Sequence, residues 1–305
     1  RNWAAKRVQW GQPIAEHDAI AQKIAQMSAA TFAMESVTWY ASALADKGGA
    51  DIRIEAAMAK LFCSEWAWKI VDETMQIRGG RGYETESSLK GRGEDAWPVE
   101  RMLRDNRINL IIEGASEIMR LFIAREALDP HLRRAGLLVN PKAAKGVGEL
   151  ASTALKAGLF YATWYPARFL PRGLPFSYMD FGPLAKHMGW VGRQSNKLAR
   201  NLFHLMILNG PGLERRQMLL GRVVDIGVEL FAVSCACSRA RHLAEREGKP
   251  EAMELADAYA RIARRRVAEF FRGLWHNDDK HNYRVSQAVM KGRYAWQEDG
   301  VMPLK

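Results

Sequence analysis

The stretch RDNRINLIIEGASEIMRLFIAREAL, residues 104–128, reads as the end of one helix, a tight turn and the start of another. Ile108, Leu110, Ile111 and Ile112 form an apolar run that stops at Glu113-Gly114. Ser116 is then the expected N-cap of a helix carrying Ile118, Leu121 and Phe122 on one face. Glu113 is the odd residue. A carboxylate against an isoleucine run is costly unless it is solvated, paired, or given a task that needs a stronger base. On spacing alone, such a residue is usually an exposed helix-end acid.

Upstream, residues 3–46 read as helix broken near Gly11-Gln12-Pro13. Ile20, Ile24, Met27, Thr31, Met34, Thr38, Ala41 and Leu44 fall three and four apart, the spacing of an amphipathic helix. Lys47-Gly48-Gly49 stops it. Asp51 can cap the next helix, which runs to about Ile77 and is apolar nearly all round, so it is expected to be central. Gln76-Ile77-Arg78-Gly79-Gly80-Arg81-Gly82-Tyr83 ends it, and the double glycine permits positive φ and close approach of a backbone or a phosphate. A glycine-rich helix exit is more often a plain C-cap, and no strand precedes it, so it is not a Rossmann fingerprint. Residues 84–96 read as a polar surface loop, and Trp97-Pro98 opens a third helix. No strand-like alternation occurs. Long helices with short links predict an all-α fold, an antiparallel helical bundle.

Four pieces occur in order and in register: Arg7-Val8-Gln9-Trp10-Gly11, the Gln76–Tyr83 run, Arg104-Asp105, and Glu113-Gly114. Together they closely resemble the C-terminal helical domain of the acyl-CoA dehydrogenases, with a longer loop at 84–96. The resemblance implies FAD as cofactor and Glu113 as the base that removes the substrate's α-proton while the β-hydride passes to the flavin. It implies that Arg7 and the backbone at Gln76, Gly79 and Gly80 hold the pyrophosphate and adenosine end of FAD for the neighbouring subunit of a homodimer. A guanidinium and glycine-rich backbone suit phosphate. Trp10 stands where the family usually has Phe, and Asp18 where a flavin-contacting Gln is common. Ala115 replaces a Thr, and Glu117 a Gln; all four fall on cofactor-contacting positions. Ile112 and Gly114 fall on the substrate side. The implied partners are a long-chain acyl-CoA and, as electron acceptor, an electron-transfer flavoprotein. Burial of Glu113 against Ile111, Ile112 and the acyl chain is expected to strengthen it as a base.

Asp129-Pro130 is expected to close the bundle, giving a first domain over 1–130 and an additional basic helical domain over 131–305. This length resembles the very-long-chain branch of the family. Helical patterns recur at about 143–165, 183–209, 213–247 and 250–275, interrupted by Pro166, Pro171 and Pro175. Within 143–172, aromatic residues and leucines are interleaved with lysines and arginines. That pattern fits a helix lying on a membrane and fits a core helix equally. Arg261, Arg264, Arg265 and Arg266 form a basic cluster that could meet lipid headgroups and reads first as a solvated helix face.

Residues 1–130 carry 17 Lys+Arg against 19 Asp+Glu, and residues 131–305 carry 28 against 15, so the net +11 belongs to the later part. A nucleic-acid binder is the rival that this charge and the RGGRG run suggest. The charge is not interleaved with aromatics along a groove, so no nucleic-acid partner is expected. Cys63, Cys235 and Cys237 make neither a disulfide framework nor a zinc set, and read as buried thiols in a reducing compartment, the bacterial cytoplasm or mitochondrial matrix. The His276–His281 run lacks ligand spacing, so no metal is expected. No apolar run is long enough to span a bilayer. The chain opens at Arg1-Asn2-Trp3 already in a helical pattern, as a fragment of a longer protein would. A fragment without the family's N-terminal and β domains is expected to hold FAD weakly and to be inactive. The other rival is a non-catalytic member serving as a dimerisation or membrane-tethering module.

Overall fold

Glycine ends each of the two long N-terminal helices, at backbone angles that other residues rarely adopt. Gly48 has φ +63° and Gly79 φ +59°. A computed structural model describes residues 1–170 and 175–300. Pro171, one of the expected interruptions, lies outside the described residues, as does Arg172 at the end of the 143–172 segment.

The first helix, α1 (Asn2–Lys6), leads into a two-residue hairpin, β1 (Val8–Gln9) and β2 (Gln12–Pro13), which the sequence reading did not include. Trp10 (φ +49°) and Gly11 (φ +81°) make its turn, the left-handed pair that a two-residue hairpin demands. Then follow α2 (Asp18–Lys47) and α3 (Arg53–Arg78). Asp51 accepts from the Arg53 N–H at 3.2 Å one residue ahead of the cap; Ile52 holds the N-cap position of α3, without a side-chain cap bond. The expected loop at 84–96 contains short helices on either side of its start, α4 (Gly80–Tyr83) and α5 (Glu86–Gly91), the second capped by Thr85 Oγ1 accepting from the Ser88 N–H at 3.3 Å. Next come α6 (Val99–Arg107) and α7 (Ser116–Val139). Ala115, not Ser116, occupies the N-cap of α7, and the Ser116 hydroxyl is buried without a partner. Asp129-Pro130 does not end α7, so the boundary expected near residue 130 falls inside this helix.

The later part is α8 (Val147–Ala167), α9 (Ala185–Asn209), α10 (Gln217–Arg246), α11 (Ala252–Trp275) and α12 (Asp279–Met290). Four of these match the expected patterns; α12 lies beyond the last of them. Ahead of its N-cap residue Asp278, Asn277 Oδ1 accepts from the Asp279 N–H at 3.2 Å. Asp279 is spent on Arg222, at 2.6 and 2.7 Å, and His276 and His281 are exposed.

The core is continuous from α2 to α11. It is centred on α10, which packs against α2, α7, α9 and α11, so α10 rather than α3 is the most enclosed helix. α10 buries Ala232, Ala236 and Ala240, and α11 buries Ala256, Ala260 and Ala263; these small side chains let the two helices approach closely along their length. One buried charge crosses this seam. Glu229 accepts from Tyr259 Oη at 2.7 Å and from Arg266 Nε at 2.5 Å. Arg266 thus faces the interior, unlike the solvated face read for its cluster. Arg120 of α7 donates to Asp225 of α10 (2.8 Å) and Glu65 of α3 (3.2 Å), which ties the two parts of the chain together. Cys235 and Cys237 are buried in α10, and burial pushes both thiols up to about 12. They are packing residues, inert as nucleophiles.

Candidate functional site

Two groups of the nominated residues gather at opposite ends of α3. Lys60 marks one end and Gly79 the other, about 28 Å apart along the axis.

At the Gly79 end, α1, the hairpin and the start of α2 meet the exit of α3. Arg7, Trp10, Gln76, Gly79 and Gly80 line a single cleft of about 500 Å³. Trp10 is 93% exposed and meets the ring of His17 edge-on at 5.8 Å. Gln12 Nε2 donates to His17 Nδ1 (3.1 Å) and His17 Nε2 to the Gln9 carbonyl (3.0 Å), which fixes the hairpin on the N-terminus of α2. A side chain on Gly79 or Gly80 would extend into open space, so backbone is bare there. Gly82 is different: a Cβ would come 2.7 Å from the Met75 carbonyl, so it is a packing glycine. Two donors in this cleft are unspent. Trp3 Nε1 and Arg78 Nε are buried without partners, and the Arg78 guanidinium lies 4.8 Å from the Trp3 ring. Burial holds Arg78 below the usual arginine range. The sequence reading did not nominate Trp3 or Arg78 as donors; on a helix face each looks like an ordinary packing residue. Asp18 does not line the cleft. It is exposed and accepts from Gln22 Nε2 at 3.4 Å.

At the other end, α6 runs through a short 3-10 turn (Ile108–Leu110) into Glu113-Gly114. Among the described residues, Trp10 and Glu113 are the non-glycine residues with positive φ, and both were nominated from sequence. Such angles are strained for side-chain-bearing residues and cluster at functional sites. Glu113 (φ +53°) precedes Gly114 (φ +94°). A Cβ on Gly114 would overlap the Met119 sulfur, so both backbone angle and space demand glycine. Lys60 Nζ donates to the carbonyls of Asn109 (2.8 Å) and Gly114 (2.5 Å), on either side of the acid. Ala115 and Glu117 stand beside this turn at the start of α7, away from the Arg7 cleft. The expected burial is not met by this chain. Glu113 is exposed, and Ile111, Ile112 and Ile118 around it are 52%, 48% and 58% exposed. With the acid they leave an exposed apolar stretch on either side of the turn.

On α8 the aromatic and aliphatic faces part company. Tyr161, Trp164 and Tyr165 stack with His131 of α7 and with Phe203 and His204 of α9. Val147, Leu155 and Leu159 face outward, at 84%, 66% and 66% exposure. Among the described residues no helix is long and apolar enough to cross a membrane.

An acid on a left-handed turn and a bare glycine helix exit, both set against one long helix of an all-helical scaffold, are the two features of the candidate site. Residues 1–128 match the family model described as acyl-CoA dehydrogenase, C-terminal domain. The chain is 50% identical, over 99% of its length, to the probable acyl-CoA dehydrogenase FadE10 of Mycobacterium tuberculosis, covering 47% of that protein. It is 33% identical, over 94% of its length, to the mouse mitochondrial very long-chain specific acyl-CoA dehydrogenase, covering 43%. The chain thus spans about half the length of the curated relatives it matches. A crystal structure of an acyl-CoA dehydrogenase complexed with FAD from Bacillus anthracis shares the fold, with TM-score 0.60 at 23% identity, across the whole of this chain and 49% of the other.

Proposed function

We propose that this chain is the C-terminal portion of an FAD-dependent acyl-CoA dehydrogenase that oxidises long-chain acyl-CoA in fatty acid β-oxidation. The observation that carries the reading is the Glu113 turn: an acid in left-handed backbone, fixed by Gly114, Met119 and Lys60. Strain at a carboxylate needs a use, and an apolar rim around it suits an acyl chain.

Arg7, the bare backbone at Gly79 and Gly80, and the unspent N–H groups of Trp3 and Arg78 fit an extended anionic group such as the pyrophosphate of FAD. Bound FAD would supply the acceptor for the β-hydride. Glu113 would take the α-proton on a carboxylate oxygen as the Cα–Cβ double bond forms. Ile111, Ile112 and Ile118 would line the acyl chain, and elements beyond this chain would close the rim and dry the acid. Ala115 and Glu117, beside Glu113, would face the flavin of their own subunit. The Arg7 cleft, a helix length away, would serve the FAD of a partner. Two half-sites this far apart on one rigid helix favour a homodimer. Electron-transfer flavoprotein is the expected electron acceptor.

The second reading is a non-catalytic assembly or membrane-tethering module. The open Val147–Leu155–Leu159 face of α8 favours it. Anaerobic titration of the complete flavoprotein with a long-chain acyl-CoA separates the two. The enzyme bleaches its flavin stoichiometrically with substrate; an unbleached flavin excludes dehydrogenation.

A further inference from the structure

Lys60 lies in the first half of α3, seven residues into the helix, with its stem half-buried and its ammonium reaching the turn after α6. It spends two hydrogen bonds there, and both go to backbone carbonyls: Asn109 at 2.8 Å and Gly114 at 2.5 Å. Those carbonyls bracket Leu110–Glu113, a segment whose own bonds are sparse. The Ile111 and Ile112 N–H groups share the Ile108 carbonyl, at 2.9 and 3.0 Å. Glu113 then turns left-handed against its own preference. A cation is the side chain that satisfies two converging carbonyls, since it carries three donors and no acceptor.

We propose that Lys60 is a positioning residue for the proposed reaction: by clamping the carbonyls of Asn109 and Gly114 it holds Glu113 in the left-handed conformation that aims its carboxylate. The inference rests on Glu113 being the base, but the clamp itself is a property of this chain. Without it the turn relaxes toward right-handed backbone, and the carboxylate swings with it. A base misplaced by about an ångström loses about 100-fold in rate. Binding of the acyl chain, which rests on the isoleucine rim, is spared.

Two measurements test this. Hydrogen exchange on this chain reads the clamp: in Lys60→Met the amides of residues 108–116 exchange at least about tenfold faster, while α10 and α11 are unchanged. In the complete flavoprotein, Lys60→Met slows flavin reduction by acyl-CoA about 10- to 100-fold. FAD content stays full and KM stays within about threefold. Lys60→Arg, which keeps a cation and its donors, recovers much of the rate. Unchanged exchange at 108–116, an unchanged reduction rate, or a rate loss that merely tracks lost FAD overturns the proposal. Glu113→Gln run alongside keeps the two claims apart. If that variant still reduces its flavin, the assignment of the base fails; if it is dead while Lys60→Met reduces flavin at the parent rate, the clamp fails alone.

Discussion

Gly114 carries two constraints at once, a backbone angle of +94° and a methionine sulfur where its Cβ would be. Gly114→Ala is expected to destabilise the chain by about 1–3 kcal/mol from backbone strain, plus the clash with Met119. Urea unfolding measures the sum. Met119→Ala has its own packing cost, so the clash is read from a cycle: Gly114→Ala costs less in the Met119→Ala background than in the parent, and an equal cost in both backgrounds contradicts the packing account. At this scale much was legible. Of the eight residues nominated for the cofactor, Arg7, Trp10, Gln76, Gly79 and Gly80 line one cleft, and Asp18, Ala115 and Glu117 do not. Lys60, Trp3 and Arg78 were not legible as site residues. Lys60 acts on main-chain oxygens, which leave no pattern in side-chain identity, and the other two are ordinary amphipathic residues until α1 meets the end of α3. Ser116 misled for a simple reason: Ser is the favoured cap, yet Ala115 already has the extended backbone of a cap (φ −53°, ψ 150°).

Among the elements, the helices with strong three-four spacing were recovered, and those without it were missed. α12 is polar, exposed and short, and its hold is a pair of hydrogen bonds between Asp279 and Arg222, which spacing does not reveal. α7 continues through Pro130 because the residues beyond it, among them Ala135 in the core, pack on, and one missing N–H costs less than abandoning that contact. Between α9 and α11 lies the link that sets acid sensitivity. His187 is buried and bonds Asp257 Oδ1 at 2.9 Å, with Lys186 and Arg264 nearby. Burial holds the imidazole below its usual range, more than Asp257 raises it. The unfolded chain therefore takes up the proton first, so this contribution is full above about pH 6.5 and is lost as pH falls below it. Asp257 feels burial too, but bonds from Lys186, His187 and Arg261 outweigh it and hold its carboxyl below the usual carboxylate range, so its share persists until far more acid. Tm is expected to drop as pH falls below about 6.5, and the drop to shrink in His187→Gln. A pH-independent Tm in the parent contradicts this.

For the molecule as a whole, charge and chemistry are divided. The +11 resides in residues 131–305, while the nominated site lies in residues 7–117. The later helices support the nominated part from behind, through the packing of α10 and α11 on α2 and of α10 on α7, and through Arg120 between Asp225 and Glu65. The all-helical class and its family were readable from four short motifs in register. The exposure of Glu113 was not, because an apolar run in the sequence does not show which of its residues another element covers. That leaves the identity of the base as the central claim. Rapid-mixing measurement of flavin reduction by acyl-CoA in Glu113→Gln of the complete protein tests it most directly. The account predicts full FAD content and reduction slowed by about 10⁴-fold or more, as removal of an essential base demands; reduction within about tenfold of the parent rate would contradict it.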